Sequence, residues 1–493
     1  MSIQFMNELF YRISSFWNSD LFGIDPSSYS IAINLFLRLL GAIYVVTYLP
    51  FLFQMRGLFG KNGILPIADY LDYMKIRLGK KRFYHIPTVL WLNASDATLL
   101  GLIWSGLILG ILLMFGICAP IILLLLYIVH LSLTSAGQDF LSFGWETFLM
   151  EITIASFLMT ATSPLNVFGW LSLNFLLLRF HVQAGASKLQ SKDPNWANFT
   201  AISYHYLTQP LPNTIAWYFH KLPMWFHKFS VLMMFYVELL VPFAIFSPLK
   251  VRLLVFLQLA GLQFSIWFTG NLSYLNHMTI ALCVILLNNR FLEPFFNTPA
   301  VAEPSSMIWH ALISLLGAAF LALQVICLWK TFFPNKIISQ ILYKTYPFHL
   351  AYPHGIFAVM TTKRYEIIVE GSADGEVWQE YSFYYKPGEL SKRPQRISPF
   401  QPRLDWQAWF LPFDHFESQG WFQMFLAKLL EGSPSVGKLL KNNPFVKKAP
   451  LYVRALVYDY EFTTIEERKH SGNWWKRTLI GEYAPAMRLK NIH

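Results

Sequence analysis

The stretch FHVQAGASKL, residues 180–189, closes an apolar run that begins near residue 167. Arg179 stands just before it, and His181, Gln183 and Lys188 lie within it. An ionisable side chain inside a bilayer costs at least about 2.5–3.5 kcal/mol and normally faces the interior of a bundle. Residues seven apart on a helix drift by only about 20°. His181 and Lys188 therefore share a face, with Gly185 between them. Arg179 lies nearly opposite Lys188, and Gln183 is one turn from Arg179. Two polar stripes leave no face for lipid, so this helix is expected at the centre of a membrane bundle. Gly185, one turn before Lys188, is expected to leave a hollow beside the amine. A desolvated lysine can shed its proton and serve as base or nucleophile. The plainer reading is a lysine at a helix end reaching for headgroups.

The rest of the 493-residue chain fits that reading. Hydrophobic residues make up 55%, charged residues only 14%, and mean hydropathy is +0.39; a soluble domain carries about 25% charged residues. A bilayer core of about 30 Å takes about 20 apolar residues as a helix. Nine candidates follow: 31–53, 98–116, 119–135, 146–163, 167–187, 229–247, 251–268, 272–289 and 307–331. The expected fold is a polytopic α-helical membrane protein of about nine spans, residues 1–335, with a C-terminal β-rich soluble domain, residues 340–493. Two polar loops, 54–97 and 188–228, interrupt the bundle. The second is rich in Trp, Tyr and Pro and is expected to form short interfacial helices. In the tail, alternation on both sides of Ala373–Asp374–Gly375 predicts a β-hairpin, and 451–462 a further strand. Trp406, Trp409 and Phe410, then Trp421, Phe422 and Phe425, recur at helical spacing. Those helices are expected either on the bilayer surface or as the core of the tail domain. The first 29 residues contain Asp, Asn and Pro and lack a clean apolar core, which argues against a cleavable signal peptide.

The formal charge of +11 gathers in residues 54–88 and the last third of the chain. The basic residues flank apolar spans, so lipid headgroups are the expected partner and nucleic acid is not. Cys118, Cys283 and Cys327 form no CxxC pair, and no histidine spacing suggests a metal site. Serine-hydrolase elbows, Walker loops and dinucleotide fingerprints are absent from the sequence. The polar groups within apolar runs are Arg38, Glu146, Glu151, Arg179, His181, Glu238 and His277, with Lys188 at an edge. Glu146 suits the first turn of a helix. Glu151 and Glu238 suit buried pairs with Arg179 or Arg38.

Several long strings carry a resemblance: GQDFLSFGWETFLMEI, AGASKL, YHYLTQPLPNTIAWYFHKLPMWFHKF, ISPFQPRLDWQAWF, HGIFAVMTTKRYEIIVEGS and NWWKRTLIGEYAP. In order and wording they resemble the lipase maturation factor family. The resemblance implies an endoplasmic-reticulum membrane protein that helps secreted lipases fold and assemble, or an inner-membrane protein if the host is bacterial. It implies a client lipase or other exported protein as partner, and a C-terminal domain on the non-cytoplasmic side touching that client. Arg403, Asp405, Trp406 and Trp409 are the candidate contacts. More distantly the bundle resembles vitamin K-dependent gamma-carboxylases. Their G-x-x-K-L segment carries a catalytic lysine, and Gly185-Ala-Ser-Lys188-Leu189 fits it. On that alternative the chain is an intramembrane enzyme for a quinone-like substrate, with Lys188, His181 and His205 as candidate catalytic residues. The expected main role is a folding factor, with no cofactor beyond a bound lipid or quinone. Nine spans put the termini on opposite faces, and place the basic loop 54–88 on the same side as the tail. With the tail outside the cytoplasm, that loop runs against the positive-inside tendency.

Overall fold

The apolar helices of this chain lie at the periphery of its bundle, and the polar ones lie at the centre. The computed structural model describes residues 25–299 and 303–489. The expectation about the first 29 residues falls largely outside them, as do the last residues of the tail.

The helices of the first half are α1 (Ser30–Tyr48), α2 (Phe51–Leu58), α3 (Ile67–Leu78), α4 (Arg82–His85), α5 (Asp96–Met114), α6 (Ala119–Ala136), α7 (Gly144–Thr160) and α8 (Val167–Gln190). Then come α9 (Ala201–Thr208), α10 (Thr214–Phe219), α11 (Met224–Leu239), α12 (Leu249–Thr269), α13 (Leu275–Cys283), α14 (Met307–Phe332) and α15 (Lys336–Thr345). Six helices among the described residues are long and apolar enough to cross a membrane: α1, α5, α6, α11 with its 3-10 extension, α12 and α14. The expected count of about nine is not reached by that measure. Segments 146–163, 167–187 and 272–289 are helical, but α7 holds two buried carboxylates, α8 holds Arg179 and Lys188, and α13 has only 9 residues. Their neighbours explain why. Seventeen of the 24 residues of α8 are buried, against 28% of the apolar window of α14. A helix wrapped in other helices meets side chains instead of lipid, so it can carry polar groups that find partners there.

Close approaches between helices are made by glycine. A Cβ at Gly41 of α1 would lie 2.5 Å from the Met114 backbone nitrogen and 2.6 Å from the Gly110 carbonyl oxygen. Gly106 and Gly110, one turn apart on α5, form the small-xxx-small seam that lets α1 approach. Asn166 caps α8, its side chain accepting from the amides of Phe168 and Gly169. At the end of the bundle away from the C-terminal domain, Ile31 N donates to Asn289 Oδ1 at 3.0 Å and Ser163 N to Ser305 Oγ at 2.9 Å.

The other end gathers loops 54–97 and 188–228 together with the C-terminal domain. Gln54 donates to the Gln401 carbonyl, Tyr84 to the Lys344 carbonyl, and Arg364 to the carbonyls of Leu207, Gln209 and Pro210. The basic loop and the tail thus meet at one end of the bundle. The loop 188–228 carries the expected short helices, α9 and α10 among them.

The C-terminal domain is built on a four-stranded antiparallel sheet in the order β2-β1-β5-β6. The strands are β1 (Arg364–Ser372), β2 (Trp378–Glu380), β5 (Tyr452–Phe462) and β6 (Trp475–Met487). Strands β3 (Ser382–Phe383) and β4 (Leu440–Asn442) pair separately. The hairpin around 373–375 and the strand at 451–462 stand where the alternation put them. Strand β6 was not anticipated: its burial pattern is mostly exposed, so its sequence lacks an apolar face. Helices α16 (Arg403–Ala408) and α17 (Gly420–Leu430) pack in the domain, with further helices at Pro434–Gly437 and Ile465–Ser471. Trp406, Trp421, Phe422 and Phe425 are all buried in one hydrophobic cluster that runs on into the bundle. Of the two readings of those aromatics, the core prevails over the bilayer surface.

Candidate functional site

The seam between bundle and domain is held by buried ion pairs on α7 and α8. Glu146, in the first turn of α7, lies 2.7 Å from Arg403 of α16 and 3.1 Å from His130, and accepts from the Tyr274 hydroxyl at 2.6 Å. Arg403 also donates to the Phe140 carbonyl at 2.8 Å and stacks over Phe51. Glu146 therefore does more than favour a helix start: it receives a cation sent in from the C-terminal domain. One and a half turns on, Glu151 pairs with Arg179. Arg179 donates to the Tyr352 carbonyl at 2.6 Å, and Glu151 accepts from the Tyr352 amide at 2.8 Å. His354 Nε2 lies 3.3 Å from Glu151, and the His354 amide donates to Gln183 at 3.1 Å. The polar stripe of Arg179 and Gln183 thus grips residues 352–354, the start of an irregular strap that leads into β1.

The second stripe of α8 faces α11 and α12. Lys188 Nζ lies 3.0 and 2.9 Å from the two oxygens of Glu238 and 3.1 Å from the Ala184 carbonyl oxygen. Three donors meet three acceptors, the arrangement expected of a braced ammonium. Trp196 lies 5.6 Å away beneath it. The hollow expected at Gly185 is filled: a Cβ there would lie 2.6 Å from the Leu239 side chain. Gly185 lets α11 come close enough for Glu238 to reach Lys188. His181 sits between the Leu177 carbonyl oxygen at 2.9 Å and Gln263 at 3.2 Å. His205, on α9, packs edge-on to Phe357 with ring centroids 4.7 Å apart. His205 lies close enough to feel the Lys188 charge, but the ammonium itself is engaged by Glu238 and the Ala184 carbonyl, and the base reading of Lys188 gains no support.

The other candidates divide. Arg179, Glu146, Glu151 and Glu238 are all buried; Glu151 pairs with Arg179, one of the two arginines offered for it, whereas Glu238 pairs with Lys188, Glu146 is paired beyond its helix-start role, and Arg38 bonds to Asn34. His277 is half-buried, its ring against Trp267. Arg403 and Asp405 are buried away from the surface, so as contacts for a client they are corrected, while Trp406 is buried with its ring bordering a cleft. Arg403 is spent on Glu146, and Asp405 accepts from the amides of Tyr385 and Lys386. Only Trp409 is partly exposed.

Trp409 opens onto the main cavity of the seam, about 860 Å³ in volume. One wall is the start of α7, with Phe143 and Trp145; a second is Phe180 and Ala184 of α8. The strap 354–361 and the aromatic residues of α16 and its C-terminal turn close the other sides. The rings are linked: Phe143 to Trp145 at 4.8 Å, Trp145 to Trp406 at 4.9 Å, and Trp409 to Phe413 at 4.7 Å between centroids. The ionisable lining residues are Asp139 and His354. Burial raises the Asp139 carboxyl from its ordinary value and lowers the His354 imidazole. Such a cleft suits apolar material with little charge. Lys188 is not in its lining. The rings of the cleft were visible in the strings GWE and DWQAWF, but nothing in their spacing showed that two segments about 260 residues apart face each other.

Comparison with known proteins bears on the same regions. The family description "Lipase maturation factor transmembrane domain" matches residues 31–294, and "Lipase maturation factor C-terminal domain" matches residues 350–485. Lipase maturation factor 1 of Mus musculus is 32% identical over 92% of this chain and 87% of its own length. Lipase maturation factor 2 of Xenopus laevis is 30% identical over 93% of this chain and 82% of its own. Lipase maturation factor 1 of Homo sapiens is 30% identical over 92% and 88%. No solved structure matches the chain.

Proposed function

The chain belongs to the lipase maturation factor family, and from that premise we propose that it is an integral membrane maturation factor for lipases that receives its client at the aromatic cleft of the seam. The observation that carries the reading is the cleft itself: about 860 Å³, walled by rings, nearly free of charge, and bordered by both bundle and C-terminal domain. An immature lipase exposes apolar segments that it later buries. A preformed apolar groove at the membrane end would shield such a segment from aggregation and release it when the client's own core can take it up. Braced ion pairs, which hold the two halves in register, fit a docking scaffold better than a reaction centre. In a eukaryotic host the seat is the endoplasmic-reticulum membrane, with the domain end in the lumen; in a bacterium it is the inner membrane, with that end outside the cytoplasm.

Val359 and Phe413 line the cleft and are 70% and 50% exposed, so they can be changed without disturbing the core. In cells that depend on this protein for lipase secretion, V359D/F413D should lower secreted lipase activity several-fold, with lipase synthesis and the level of the membrane protein unchanged. Secreted activity equal to that of the parent would remove the cleft from the reading.

A further inference from the structure

A second pocket, about 410 Å³, lies at one edge of the domain end between α4 and α15. It is walled by hydroxyls and rings: Tyr84 from α4, Tyr343 and Tyr346 from α15 and its extension, and Tyr352 from the strap. Thr134 and Ser135, in the last turn of α6, also line it, and their buried hydroxyls have no hydrogen-bond partner. A helical Ser or Thr ordinarily bonds the carbonyl one turn back, as Ser132 does with Ile128. Both oxygens are enclosed, so a turn of either side chain would be needed to bring its hydroxyl to a guest.

The pocket sits beside the ends of two apolar spans, the level at which a bilayer interface is expected. The last turn of α6 ends a span, and α15 begins four residues after the span α14 ends at Phe332. The inner face of α15, Ile338 and Leu342, packs on Cys327 and Ala351. Its other apolar residues, Ile337 and Ile341, are exposed and continue the surface of Trp329, Phe332 and Phe333 at the end of α14. An amphipathic helix so placed lies in the headgroup layer.

The charge of the two flanking elements is one-sided. Residues 73–95 carry Lys75, Arg77, Lys80, Lys81 and Arg82 and no carboxylate; residues 330–346 carry Lys330, Lys336 and Lys344 and none. The nearest acids in α3, Asp69 and Asp72, precede the basic run. The hydrogen bond from the Tyr84 hydroxyl to the Lys344 carbonyl, 2.6 Å, joins the two runs beside the pocket.

We propose that this pocket binds the phosphate-bearing headgroup of an anionic membrane phospholipid, whose acyl chains lie along the exposed apolar face of α15. The hydroxyl wall suits a phosphate and its polar substituents, and the acid-free runs supply the attraction, each basic residue near an anionic surface contributing about 1 kcal/mol. The apolar shelf next to the pocket distinguishes a lipid from free phosphate, which has no use for it.

The test uses the full chain in bilayer discs of phosphatidylcholine, with or without phosphatidylglycerol, and hydrogen exchange across 73–92 and 336–352. Phosphatidylglycerol should slow exchange in both segments by about tenfold or more, and inorganic phosphate in phosphatidylcholine discs should not. K80E/K81E/K344E changes only exposed side chains, so it keeps the fold and should lose the response. S135F should lose it too by filling the pocket, and if S135F does not fold the charge variant decides alone. Equal exchange in the two disc types would overturn the proposal. So would protection by inorganic phosphate alone, or a charge variant that responds like the parent.

Discussion

Arg403 is the residue on which the seam between bundle and domain turns. It comes from α16, is fully buried, and meets Glu146 at 2.7 Å, the Phe140 carbonyl and the Phe51 ring. Removing one partner of a buried pair leaves an uncompensated charge and costs about 3–5 kcal/mol. R403M should therefore destabilise the protein by about that amount, and adding E146Q should recover part of the loss, because the stranded carboxylate is then gone. Thermal unfolding in detergent reads both; a loss under about 1 kcal/mol for R403M would mean that the pair does not latch the domain. His205 gives a pH signature. Burial, with the Lys188 cation adding to it, pushes its imidazole down to about 4, from an ordinary value of about 6.5. Between those values the unfolded chain takes up a proton that the folded chain refuses. Stability is thus full above about 6.5 and falls as pH drops toward about 4. H205F should flatten that part of the profile of unfolding midpoint against pH; an unchanged slope would assign it to other groups.

Among the helices, the α1–α5 contact is set by glycine and the α8–α11 contact by glycine with an ion pair. Gly41 faces the backbone of α5 with no room for a side chain, whereas a Cβ on Gly101 would meet nothing within 4 Å. G41L should lower stability by about 1–3 kcal/mol through overpacking, and G101L should stay within about 0.5 kcal/mol of the parent. Equal effects would show that this seam does not depend on close approach. The same elements show how far hydropathy can be read. It found every apolar segment, and each is helical, because a run of Leu, Ile and Phe has no other way to satisfy its backbone in lipid. It could not grade them. The polar stripes of 179–188 did place α8 at the centre, since a helix with Arg179 on one face and Lys188 on the other has no face left for lipid. Which acid each cation meets was not legible: Glu238 was matched to an arginine and in fact meets Lys188. The hollow at Gly185 was read from one helix alone, and the neighbouring helix fills it.

Across the whole molecule one apolar cluster runs from the bundle into the C-terminal domain, so the two halves share a core. The candidate cleft exists only where they meet. Its rings come from α7, α8, the strap and α16, and no one segment would show a cavity by itself. The sequence alone determined that this chain dissolves in a bilayer, that its tail forms strands, that α8 is central, and to which family it belongs. Each of those follows from local composition, periodicity or wording, which a linear reading retains. Only the tertiary structure decided that Arg403 and Trp406 face inward, that Lys188 is braced by Glu238 rather than open to a guest, and that an aromatic cleft lies at the seam. Those depend on which surfaces meet across hundreds of residues, and that is fixed by the joint packing of helices, not by any one of them.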